Sequence, residues 1–199
     1  MYREPDESFE NLHIVSPCLA SKCQFATNDE KYRFVTGTAG VLGIIPKDDS
    51  RMHCLYLLGV LNSSVTEFFI KRRSPRFAGG FYKFTAPYLK ELPLPPIDSA
   101  MKEHNSIAKH AETVLEALQE LPKAKSTLAR TTFERTIEAG QRKIDEIIFA
   151  SYGLSAEDAS VIGEVLAADS LPDAESKQMD TDTEDATPTK RIQAKLALE

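Results

Sequence analysis

The 199-residue chain is 42% hydrophobic, enough to build the core of one ordinary domain or of a domain with a helical appendage. No apolar run approaches the roughly 20 residues that cross a bilayer, and the opening MYREPDESFE has neither a basic n-region nor an apolar h-region. This composition argues against a membrane-spanning or signal-led protein and predicts a soluble, cytoplasmic one.

The formal charge is −6, yet residues 155–199 carry 4 basic and 11 acidic side chains, so the rest of the chain is close to neutral. The acidity belongs to the tail and does not oppose a polyanionic partner. Three cysteines fit a reducing compartment. Cys18, Cys23 and Cys54, even with His53, lack the paired spacing of a structural zinc site and read as idle thiols.

Residues 1–11 are polar and are expected to fray. Short apolar or β-branched runs at 12–15, 23–26, 32–35 and 41–45 follow, separated by Asn28-Asp29 and by Gly37 and Gly40. They predict a small, twisted, mainly antiparallel sheet. Few strands make a thin core, so this sheet reads as part of a larger one.

Asp49 or Ser50 can cap a helix over 52–71, in which Leu58, Leu61, Val65, Phe68 and Phe69 share one face and pack on the sheet. Asn62, Ser63 and Ser64 interrupt it with side chains that bond to nearby backbone, marking a kink or a buried polar contact.

The segment KRRSPRFAGGFYKFTAPY over 71–88 holds Lys71, Arg72, Arg73, Arg76 and Lys83 with no acidic residue, interleaved with Phe77, Phe81, Tyr82, Phe84 and Tyr88. Cations match phosphate oxygens and aromatic faces stack on bases, so the mixture suits a nucleic-acid surface. Gly79 and Gly80 permit positive φ or close backbone approach, and Pro75 and Pro87 punctuate the ends, which predicts an exposed, shaped loop. The plainer alternative is a solvated helix end, with cations facing the helix dipole and aromatics filling a core.

Three prolines within 93–96 make an extended exit. Helical periodicity then resumes over 99–121, breaks at Pro122, and continues over 124–152, which predicts an antiparallel hairpin of two long helices. His104 and His110 sit among polar neighbours on the first of these and are expected to face solvent. Gly153 can supply a left-handed cap, and Ser155 with Asp158 resembles a capping box for a short helix to about residue 166. Beyond 168 the chain is too polar to offset its ordering entropy and reads as disordered, with KRIQAKLALE as at most a brief helix. The expected fold is α+β: a small antiparallel sheet with a packed helix (1–98), a helical hairpin with a short cap helix (99–167) and an acidic tail (168–199).

Two stretches carry a family resemblance. LYLLGVLNSSVTEFFIKRRSPRFAGGFYKFTAPYLKELPLPPI resembles the C-terminal target-recognition region of TaqI-like adenine-N6 DNA methyltransferases and the related fused type II restriction-modification enzymes. IDEIIFASYGLSAEDASVI is similar to the segment that closes many members. The resemblance spans roughly 12–165, with two motifs in the right order. It implies double-stranded DNA as partner, with Lys71, Arg72, Arg73, Arg76 and Lys83 holding phosphates and one arginine or Tyr82 reaching a base edge, within a surface that also includes Phe77, Gly79, Gly80, Phe81 and Tyr88.

The family pairs such a reader with a domain that binds S-adenosylmethionine and flips adenine. No glycine-rich cofactor fingerprint, Asn-Pro-Pro-aromatic motif or nuclease carboxylate-lysine cluster is legible in these 199 residues. The expectation is therefore a recognition fragment acting with a separate methyltransferase or restriction chain. A helical protein-interaction module, or a truncated relic without autonomous DNA binding, is the alternative.

Overall fold

Backbone polar groups that cannot reach water must pair, and here short strands do so in two separate antiparallel sheets instead of one. The computed structural model describes residues 13–29, 32, 40–98, 101–169 and 187–196. β1 (Ile14–Pro17) is flanked by β3 (Ala26–Thr27) and β4 (Val41–Ile44), with Ile14 opposite both Thr27 and Ile44. One residue beyond β1, the chain crosses to a second sheet. There β2 (Leu19–Ala20), β6 (Phe81–Lys83) and β5 (Arg76–Phe77) lie in that order.

This corrects the single-sheet expectation, and the cause is strand length. Two- to four-residue strands cannot extend one ladder, whereas Cys18 can serve both: its N–H bonds Gly40 O and its carbonyl accepts from Phe84 N. The expected strand at 32–35 lies outside the described residues except for Tyr32, whose backbone N–H and carbonyl pair with the Asn28 side chain. The expected frayed start over 1–11 also lies outside them.

The helix expected over 52–71 is two helices, α1 (Arg51–Leu61) and α2 (Ser64–Arg73), bent by 57°. Polar side chains make the break. Ser63 Oγ donates to Val60 O and accepts from Thr66 N, so it closes one helix while capping the next. Asn62 completes the joint through its side chain: Oδ1 accepts from Phe25 N at 3.0 Å and Nδ2 donates to Phe25 O at 2.9 Å, replacing a strand neighbour. Ser50 caps α1 by accepting from His53 N. No single helix among the described residues is long and apolar enough to cross a membrane.

After the short α3 (Ala86–Leu89) and the proline exit, α4 (Lys102–Glu120) and α5 (Thr127–Ser151) form the expected hairpin, joined through a 3-10 turn at Leu121–Lys123. It packs on α1 and does not stand free. Close approach needs small residues at the crossings: a Cβ on Gly59 would lie 2.7 Å from Ile107 Cγ2, and one on Gly140 would lie 2.5 Å from Val114 Cγ2.

His104, expected in solvent, is 2% exposed; its Nε2 lies 3.1 Å from His53 Nδ1 and its ring stacks on Tyr56 at 4.2 Å. Its position in the first turn of α4 faces α1, and burial lowers its pKa, with the His53 charge adding to the effect. Asp145 on α5 accepts from Ser64 N at the start of α2, and its burial pushes the carboxyl up to about 6.

α6 (Ala156–Asp169) opens on the expected capping box, with Ser155 N donating to Asp158 Oδ2 and Asp158 N donating to Ser155 Oγ. The region read as a disordered tail contains a helix, α7 (Thr187–Leu196), that docks on α6. Ile192 and Leu196 are buried, and Arg191 and Lys195 both reach the buried Asp158 carboxylate, at 2.6 and 2.7 Å. Hydrophobic spacing of four in KRIQAKL is the signal that polar composition obscured. The fold is mixed α+β, and one hydrophobic core joins sheets, α1, α2, α4, α5, α6 and α7.

Candidate nucleic-acid interface

Between α2 and α3 the expected loop folds as a β-hairpin. Arg76 faces Tyr82 and Phe77 faces Phe81 across the β5-β6 pair, leaving Ala78, Gly79 and Gly80 as the connection. Gly79 and Gly80 have φ of +81° and +73°, a region that side chains with a Cβ disfavour. Three-residue turns of this kind need glycine there, so the diglycine fixes the hairpin's shape. Ser74 Oγ accepts from Lys83 N at 2.7 Å and seats the hairpin on the end of α2.

The strand period sorts the side chains. Phe81 and Phe77 point outward, 40% and 37% exposed, while Tyr82 and Phe84 are buried, the latter edge-on to Phe25. Lys83 lies with its ammonium 5.0 Å from the Phe77 ring centroid. The outer face of the hairpin therefore brings together two aromatic surfaces, a lysine and the tight glycine turn, with Arg76 half-buried at its base.

The remaining residues of the predicted set are distributed differently. Lys71 is wholly buried, its ammonium 2.7 Å from Glu67 Oε1 and 5.4 Å from the Tyr82 ring centroid, so it supports the hairpin from within. The (i, i+4) spacing of Glu67 and Lys71 is a sequence signal for that pairing. Arg73 is half-exposed, bonded to Glu91 at 3.1 Å and resting on Phe69. Arg72 bonds the carboxylate of Asp169, at the end of α6. Tyr88 is half-buried on α3, away from the strand pair.

Burial raises the Tyr82 pKa, and the Asp169 charge, to which its hydroxyl is hydrogen-bonded, raises it further. A phenol that stays protonated and hidden holds the hairpin in place and has no free path to a base edge. The cationic run of the sequence is thus partly neutralised by carboxylates from Glu67, Glu91 and Asp169. Glu67 and Glu91 lie 4 and 18 residues from their partners, whereas Asp169 lies 97 residues beyond Arg72.

No curated protein matches the chain significantly. The hairpin, both sheets, α1 and α2 all fall within residues 2–94, which match the family model of the TaqI-like C-terminal specificity domain, whereas the second motif, over 144–162, lies outside the matched span. Residues 2–94 of this chain are thus similar to the TaqI-like C-terminal specificity domain.

Proposed function

We propose that the chain recognises double-stranded DNA through the β5-β6 hairpin and the arginines beside it, and that it does so for an adenine-N6 methyltransferase of a restriction-modification system. The observation that carries this reading is the outward pairing of Phe77, Phe81 and Lys83 on a glycine-shaped hairpin inside a specificity domain. A two-stranded ribbon fits the major groove, where base edges differ, and flanking cations fix its register on phosphates. In this reading Arg73, Arg76 and Lys83 are the principal phosphate contacts and Arg72 becomes one when its carboxylate partner yields. The setting proposed is cytoplasmic.

S-adenosylmethionine does not fit the aliphatic groove beside β4. The groove between β4, α1 and the 89–94 segment is lined by aliphatic side chains with Lys90 as its one charged group, and offers no carboxylate for ribose hydroxyls. In this reading methyl transfer is the work of a separate catalytic unit. A second reading, in which the α4-α5 hairpin docks a methyltransferase or restriction chain, is favoured by Leu118 and Leu128, which are 49% and 79% exposed near its turn. The two readings are compatible.

Replacing Arg72, Arg73 and Arg76 together by glutamine is expected to weaken duplex binding on the order of 10- to 100-fold near 0.1 M salt and to flatten the plot of log K against log salt by about two. Fluorescence anisotropy across a salt series measures both. Unchanged affinity and slope in a variant that keeps its melting temperature would remove the hairpin reading.

A further inference from the structure

The candidate DNA face is already occupied by an anion from the same chain. The Asp169 carboxylate accepts from the Arg72 guanidinium and is hydrogen-bonded to the Tyr82 hydroxyl. Its backbone carbonyl lies 4.0 Å from where a Cβ on Gly80 would stand, over the hairpin turn, and Arg76 Nη2 is 3.7 Å from the same point. Asp169 is the last described residue of α6. The carboxylate presents the charge and the acceptor oxygens that a phosphate would bring to Arg72.

The placement is held from elsewhere. α6 packs on α2, its Ile162 is fully buried, and its first turn is tied to α7 through Asp158. None of α6 or α7 falls within residues 2–94, so the anion comes from beyond the matched specificity domain. Yet the contact is shallow enough to exchange: the Arg72 and Asp169 side chains keep 31% and 14% of their surface exposed. An ion pair of this exposure is worth little against a polyanion that also releases counterions.

We propose that Asp169 on α6 is a phosphate mimic that masks Arg72 on the DNA face, so that duplex DNA must displace it to bind. The mask raises the threshold for weak, non-specific polyanion contacts and is relieved where a full interface forms. The proposal rests on the DNA-binding reading above.

Asp169→Asn removes the charge and keeps the shape, and Asp169→Ser serves if that variant is less stable. Glu164→Gln, on the same helix with its carboxylate bonded only to Ser160 among the described residues, makes the same change in net charge away from the hairpin. Anisotropy titrations with a random-sequence duplex are expected to show about 5- to 10-fold tighter binding and a salt slope steeper by about one for Asp169→Asn. No such gain is expected for Glu164→Gln, nor for Asp169→Asn in an Arg72→Ala background. Equal affinity of Asp169→Asn and the parent, or an equal gain from Glu164→Gln, overturns the mask while leaving DNA binding in place. Absence of duplex binding by the folded parent and the folded variant overturns both.

Discussion

Phe68→Ala is expected to destabilise the fold by about 3–5 kcal/mol, the range for emptying a large aromatic site in a packed interior. Phe68 has no exposed surface and lies on α2, whose residues from Val65 to Lys71 are buried on all sides except at Glu67. That helix packs against β6, α3, α5 and α6, so no neighbour can close the cavity without moving an element. Leu128→Ala, at 79% exposure, is expected to stay within about 0.5 kcal/mol of the parent. Urea unfolding followed by circular dichroism separates them. Because α2 ends in Arg72 and Arg73 and seats the hairpin through Ser74, Phe68→Ala is also expected to lose duplex affinity at temperatures where the parent still binds.

Asp158→Ala is expected to cost about 2–3 kcal/mol, combining a lost helix cap with two charge-assisted contacts. The figure stays below that for a fully buried pair because Arg191 and Lys195 keep 49% and 33% of their surface exposed and can resolvate. The lysine and backbone bonds to this carboxylate hold its pKa well below the usual carboxylate value. The folded state therefore binds this proton less tightly than the unfolded chain. Asp158's contribution is fully present above the unfolded carboxylate pKa near 4 and is lost as pH falls through that value toward the folded one. A stability-pH profile of the parent should fall below about pH 4, and Asp158→Ala should lack that part of the fall. Hydrogen exchange in α7 reports the release of the helix directly. If α7 amides kept their protection in Asp158→Ala, the docking account would be wrong.

Local chemistry explains which parts were legible in the sequence. Capping at Ser50, the Ser155-Asp158 box, the Asn62-Ser63 interruption and the two long helices are all written in neighbouring residues. Period alone misplaced burial. His104 looked exposed beside Glu103 and Asn105, but α1 presents His53 and Tyr56 to that one position. The division of strands between two sheets could not be read, since it depends on Cys18 bonding to residues 22 and 66 positions away.

The candidate site was legible in composition and not in arrangement. Glycines, aromatics and cations over 71–88 marked the segment, and strand alternation then hid Tyr82 while exposing Phe77 and Phe81. The carboxylates that temper its charge come from Glu67, Glu91 and Asp169, the last of them 97 residues beyond its partner Arg72. A count of local charge cannot contain a partner as distant as Asp169.

Recovery of duplexes from a random-sequence pool by the intact chain, at stepped salt, tests the central claim most directly. The account predicts salt-dependent retention with log K falling linearly in log salt, and enrichment of a short recurring sequence as salt rises. A folded chain that retains no duplex at low salt would contradict it.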